Sequence, residues 1–99
     1  MRLSPRDIAA LSDTVHSVAG PGVRTRVFGS RLDDAAKGGD IDILVESDTP
    51  IESPAVLSAR ISVRAMRALN GRKVDVPLKA PNLEEHAIHR IALQYGISI

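Results

Sequence analysis

The chain has no cysteine and no tryptophan, and its only aromatic side chains are one Phe and one Tyr. Without cysteine there is no disulfide framework, no thiolate zinc site and no cysteine nucleophile. At 2% aromatics, a surface that stacks nucleobases has almost nothing to stack with. An excess of one charge sign is lacking too: 13 basic and 12 acidic side chains leave a formal net charge of +1. That balance argues against direct nucleic-acid binding through charge alone. No apolar run approaches the roughly 18–20 residues that span a bilayer. The first six residues, Met1-Arg2-Leu3-Ser4-Pro5-Arg6, also lack the apolar region of a signal peptide. The expectation is a soluble cytoplasmic protein with no membrane partner. Room is short as well: 99 residues make one domain, 1–99, with a modest core and no large cavity.

What is present is an alternation of helical and extended patterns. Ser4, Pro5 and Asp7 predict a helix start. Ile8, Leu11, Val15 and Val18 then share one face until Gly20-Pro21-Gly22 ends the helix. Residues 23–28 read as a strand with Val23, Thr25 and Val27 on one side and Arg24, Arg26 and Phe28 on the other. A short helix is expected over 31–37 and a second strand over 40–45, with Ile41, Ile43 and Val45 facing the core. A long helix over 55–69 shows an apolar stripe of Val56, Ala59, Val63 and Met66, widened by Leu57, Ile61 and Leu69. Asn70-Gly71 stops it, and residues 72–78 form a third strand. Pro81-Asn82 opens a last helix whose expected buried face is Leu83, Ala87, Ile88, Ile91, Ala92 and Tyr95, ended by Gly96. The fold class is α+β: a small three-stranded mixed sheet with flanking helices, in the order α-β-α-β-α-β-α.

Three aspartates stand out. Asp40 and Asp42 lie two apart on one strand, so both leave the same face. Asp75 sits between Val74 and Val76 on another strand, again opposite the apolar side. If the strands are neighbours, three carboxylates converge, and such a cluster needs a cation to offset its repulsion. Oxygen-only carboxylate ligands suit Mg²⁺, which commonly also takes water and substrate phosphates. Gly29-Ser30 lies between a strand and a short helix, where a close backbone approach, free N–H groups and a hydroxyl would favour an anion. An anion cradle facing carboxylate-bound metal is what transfer from a nucleoside triphosphate requires.

Phe28-Gly29-Ser30, nine intervening residues, then Asp40-Ile41-Asp42-Ile43 resembles the signature of the DNA polymerase β-type nucleotidyltransferases. Asp75, in Lys73-Val74-Asp75-Val76, stands where their third carboxylate is expected. Gly29-Ser30-Arg31 with Gly39-Asp40-Ile41-Asp42 is most similar to the minimal nucleotidyltransferases of prokaryotes, antitoxins commonly encoded beside a helical HEPN-domain toxin. The resemblance implies that Gly29 and Ser30 hold the triphosphate of ATP and that Asp40 and Asp42 bind two Mg²⁺ ions. Asp75 would complete the metal shell and help deprotonate the acceptor hydroxyl. It also implies transfer of AMP to a hydroxyl, a tyrosine of the HEPN partner, as the antitoxin activity.

Other features carry less. Ser30 also fits a helix cap with Asp33, and Arg31 fits either a phosphate contact or plain exposure. Arg24 and Arg26 fit a solvated edge, or a place beside the carboxylates. Arg60, Arg64 and Arg67 form a basic stripe that reads first as a solvated face and second as a dock for an acidic partner. His86 and His89, beside Glu84 and Glu85, read as an exposed helix face rather than a metal site. His16 has no evident partner, and Tyr95 is expected in the core. Two other functions fit the same pattern: an antitoxin acting by binding alone, and a small-molecule nucleotidyltransferase of the antibiotic-modifying type. The latter normally carries more chain to shape an acceptor pocket, so the short chain favours an acceptor on a second macromolecule.

Overall fold

Ser4 caps the first helix as expected. Its hydroxyl accepts from the Asp7 N–H at 3.1 Å, and the Asp7 carboxylate accepts from the Ser4 N–H at 3.3 Å. The structure is a computed structural model that describes residues 3–28 and 41–99. In chain order these form α1 (Pro5–Ala19), β1 (Arg24–Phe28), β2 (Ile41–Glu46), α2 (Pro54–Ala68), β3 (Val74–Asp75), β4 (Leu78–Lys79), α3 (Ala87–Tyr95) and β5 (Ile97–Ser98). The predicted helix over 31–37 and the predicted strand residue Asp40 lie outside the described residues.

The result is a small α+β domain with a mixed sheet. The strand order is β3-β2-β1-β5, and β4 also lies beside β2. β1 is antiparallel to β2 and β5, whereas β3 and β4 run parallel to β2. Where three strands were expected, the described residues form five, for two reasons. The third predicted strand divides at Pro77, whose carbonyl accepts from the Val45 N–H at 3.1 Å but whose ring nitrogen has no hydrogen to donate to a ladder. β5 is only two residues long, too short to show periodicity, and is added by register with Arg26 and Val27.

Alternation along β1 and β2 divides the sheet into two unlike faces. Val27, Ile41, Ile43 and Val45 join Leu11 and Val15 of α1 and Ile61 and Ala65 of α2 in the main core. On the other face Phe28 and Leu44 pack with Ala92 of α3, and Leu93 rests against them.

Both later helices turn differently from expectation. In α2 the buried side is Ile61 and Ala65, with Leu69 at the C-cap, while Val56 and Val63 are exposed at 59% and 42%. The cause is the pair Ser58 and Ser62, whose hydroxyls donate at 2.6 Å to the Val76 and Val74 carbonyls. Two hydroxyls that resemble a wet face are thereby drawn inward, and the stripe of Val56, Ala59, Val63 and Met66 turns out. α2 ends at Leu69 as Asn70 takes a left-handed φ of 60° and Gly71 N–H donates to the Met66 carbonyl at 2.8 Å, a Schellman closure.

The last helix starts at Ala87 rather than at Pro81-Asn82. The Asn82 amide is occupied elsewhere: it accepts from the Ile51 N–H at 2.9 Å and donates to the Ile51 carbonyl at 2.8 Å. This two-bond clasp joins the loops that follow β2 and β4. α3 buries His89 and Ala92, whereas Ile88, Ile91 and Tyr95 are exposed, Tyr95 at 64%. The placement of Tyr95 in the core and of His89 on an exposed face are both corrected. His89 is inside because its Nδ1 accepts from the His86 N–H at 2.7 Å, closing the helix start.

Candidate functional site

The sheet register brings two of the three singled-out aspartates together. Asp42 of β2 is the direct partner of Asp75 of β3, and Phe28 of β1 is the direct partner of Asp42. Phe28, Asp42 and Asp75 therefore form one row across three strands, with neighbouring strands about 4.8 Å apart. Both carboxylates belong to the face opposite Ile41, Ile43, Val74 and Val76, whose side chains lie in the main core. The core thus orients the aspartates: each is flanked by two residues buried on the other side.

Both aspartates are half-buried. The Asp75 side chain retains 48% of its surface, and Lys73 Nζ lies 3.9 Å from its Oδ1. An exposed pair at that distance adds little stability, so Lys73 is a nearby counter-charge and not a lock. Gly29, Ser30, Arg31 and Asp40 lie outside the described residues. Gly29 and Ser30 follow Phe28 directly in the chain, and Asp40 immediately precedes Ile41.

Sequence reasoning missed what holds Asp75 in place. The two carbonyls flanking it, Val74 and Val76, accept the Ser62 and Ser58 hydroxyls of α2, while the Lys73 carbonyl accepts from the Ile41 N–H at 2.9 Å. The backbone around Asp75 is thus bonded on both edges, to β2 on one side and α2 on the other. The available signal was two serines four apart on a helix, placed beside the partly buried Leu57 and the buried Ile61 and Ala65.

Arg24 and Arg26 do share the face of Asp42 and Asp75, but their described ion pairs lie toward its other end. Arg26 Nε is 2.8 Å from Oε1 of Glu46, and Arg24 makes two 3.0 Å hydrogen bonds to Asp48. Glu46 is four residues beyond Asp42 along β2, about 13 Å at strand rise. The Asp48 hydrogen bond, together with its charge, raises the Arg24 pKa above its ordinary value, and the same contact holds Asp48 below the usual carboxylate range.

The histidines take structural places. His16 Nε2 lies 3.3 Å from the Val23 carbonyl, and the His86 and His89 rings stack at 5.6 Å. His89 also lines a groove of about 370 Å³ with Ser58, Val76, Pro77 and Glu84, beside the β3–β4 edge. Neither Asp42 nor Asp75 lines that groove. Among the described residues no group of three or more His, Asp or Glu side chains forms a metal cluster.

The chemistry of the described pair nonetheless suits a hard divalent cation. Two carboxylates side by side on one face, one of them half-exposed, offer oxygen donors and a local negative charge. No helix among the described residues is long and apolar enough to cross a membrane. No family model matches the chain, and no protein of curated function matches its sequence significantly.

Proposed function

We propose that this chain is a Mg²⁺-dependent nucleotidyltransferase of the polymerase β-type fold. It transfers AMP from ATP to a hydroxyl on a partner protein, and it acts as an antitoxin toward a HEPN-type toxin. One observation supports this reading above the others: Asp42 and Asp75, 33 residues apart in sequence (75 − 42), are direct register partners on adjacent parallel strands. That pairing is what the Asp40-x-Asp42 and Asp75 pattern requires if it is a catalytic set.

In this reading Asp40, Asp42 and Asp75 hold the metal, and Gly29 and Ser30 hold the triphosphate. When bound, Mg²⁺ neutralises phosphate charge and polarises the phosphoryl group. Asp75 accepts the proton of the acceptor hydroxyl. The hydroxyl oxygen then bonds to the α-phosphorus, the bond to the bridging oxygen breaks, and pyrophosphate leaves. Ser58 and Ser62 fix the strand that carries Asp75.

The test is intact-mass analysis of a HEPN-domain protein that binds this chain, after incubation with ATP and Mg²⁺. The expected result is a gain of whole adenylyl groups, reduced about a hundred- to thousandfold in rate by Asp42→Asn or Asp75→Asn. An unmodified toxin, under conditions where the two proteins bind, overturns the proposal. Full neutralisation in cells by a chain carrying both Asp40→Asn and Asp42→Asn would instead establish an antitoxin that works by binding.

A further inference from the structure

The outward face of α2 combines two features that a solvated helix does not need together. Val56, Ala59, Val63 and Met66 recur at i, i+3, i+7 and i+10, a continuous stripe about 15 Å long. Its large members are exposed at 59%, 42% and 36% for Val56, Val63 and Met66. Along one side of the stripe run Arg60, Arg64 and Arg67. With Ala59 and Val63 they line a shallow depression of about 290 Å³.

Within the helix the charge of this face is of one sign, and Glu52, just ahead of it, shares a neighbouring depression with Val56 and Arg60 without an ion pair among the described residues. The helix Pro54–Ala68 contains three arginines and no acidic residue. Elsewhere Arg24, Arg26 and Arg72 meet Asp48, Glu46 and Asp7, whereas Arg60, Arg64 and Arg67 meet no carboxylate among the described residues. Burying Val63 and Met66 is favourable only against another apolar surface, and the arginines beside them favour negative charge at its rim.

We infer that the outer face of α2 docks an acidic amphipathic helix of a partner protein. Apolar side chains of that helix cover Val56, Val63 and Met66, and its Glu or Asp residues face Arg60, Arg64 and Arg67. Helix-on-helix recognition uses anchors at this spacing. A nucleic-acid backbone would satisfy the arginines but return nothing for the apolar stripe. A symmetric pairing with a second copy would bring two sets of three arginines together, which like-charge repulsion opposes. The surface is independent of the nucleotidyl-transfer reading. α2 packs on the sheet face opposite Asp42 and Asp75, so a partner held there leaves the carboxylates uncovered.

The experiment is selection of a displayed library of helices about 18 residues, or five turns, long. Leu is fixed at the seam positions, and Glu, Lys, Gln or Ser vary at the flanks. Wild-type chain is expected to enrich Glu flanks, and a labelled peptide from the enriched pool to shift α2 amides in an HSQC spectrum. The triple variant Arg60→Glu, Arg64→Glu, Arg67→Glu, checked for folding by circular dichroism, is expected to lose about tenfold or more in affinity for that peptide. The same variant should select Lys flanks from the library. Val63→Gln, which keeps every charge, should weaken binding without changing the flank preference. Failure to enrich any helix, enrichment of neutral or basic flanks by the wild type, or shifts confined to other elements would each overturn the inference. So would a duplex oligonucleotide displacing the peptide at equal affinity, or self-association abolished by Val63→Gln.

Discussion

The two faces of the sheet are built on different terms. One is closed: α1 and α2 cover it, and Ile41, Ile43, Val45, Leu11, Val15 and Ile61 are all fully buried. Among the described residues the other is covered by the nine-residue α3 alone, whose Ala92 and Leu93 meet Phe28 and the fully buried Leu44. The rest of that face carries carboxylates and arginines. Such asymmetry follows from the division of labour along each strand. Every second residue of β2 supplies stability, and the residues between are free to carry charge because the first set already holds the strand.

That contrast predicts that truncations on the two faces differ. Ile61→Ala is expected to cost about 3 kcal/mol, since it opens a cavity walled by two helices and the sheet. Leu44→Ala, in a smaller cluster that among the described residues is closed by the one short helix α3, should cost about 2 kcal/mol. Urea unfolding of both variants checks this, and equal losses would erase the distinction between the faces. Smaller in effect is the link between α2 and β3. Ser58→Ala and Ser62→Ala should each cost about 1 kcal/mol, because each frees a carbonyl that was bonded. Amide hydrogen exchange should quicken in β3 and leave β1 unchanged. Smallest is the exposed pair at the end of the open face. Asp48 titrates below its ordinary value of 3.8, so the contribution of the pair is complete above that pH and is lost as pH falls through the lower folded value. Arg24 stays charged throughout this range. Carboxyl NMR titration of Asp48 should show the downward displacement, and Arg24→Gln should remove it.

The elements that were legible in the sequence are those with strong local chemistry. The Ser4–Asp7 cap, the Asn70-Gly71 stop and the alternation of Ile41, Ile43 and Val45 each depend on neighbours in the chain, and each appears where expected. Of the site, the facing of Asp42 and Asp75 could be read from alternation, but their pairing could not, because a parallel register is set through α2 and not by a turn. The errors share one origin. α2 and α3 each carry apolar residues on two sides, and only tertiary partners decide which side goes in. For α2 the deciding partners were carbonyls recruited by Ser58 and Ser62. For α3 they were Phe28 and Leu44, which select Ala92 over Ile88 and Ile91. Gly29, Ser30, Arg31 and Asp40 stand on sequence pattern and on their chain proximity to Phe28 and Ile41.

The serine bonds on β3 also govern how the sheet could grow. β3 and β5 end the row of described strands, and an end strand ordinarily invites pairing by a foreign chain. At β3 the outward carbonyls of Val74 and Val76 are already engaged by α2, so an incoming strand would have to displace a helix anchored in the main core. At the opposite end, β5 offers only Ile97 and Ser98. An added strand therefore meets a helix-bonded β3 at one end, with only the two residues of β4 beyond it along β2, and a two-residue foothold at the other.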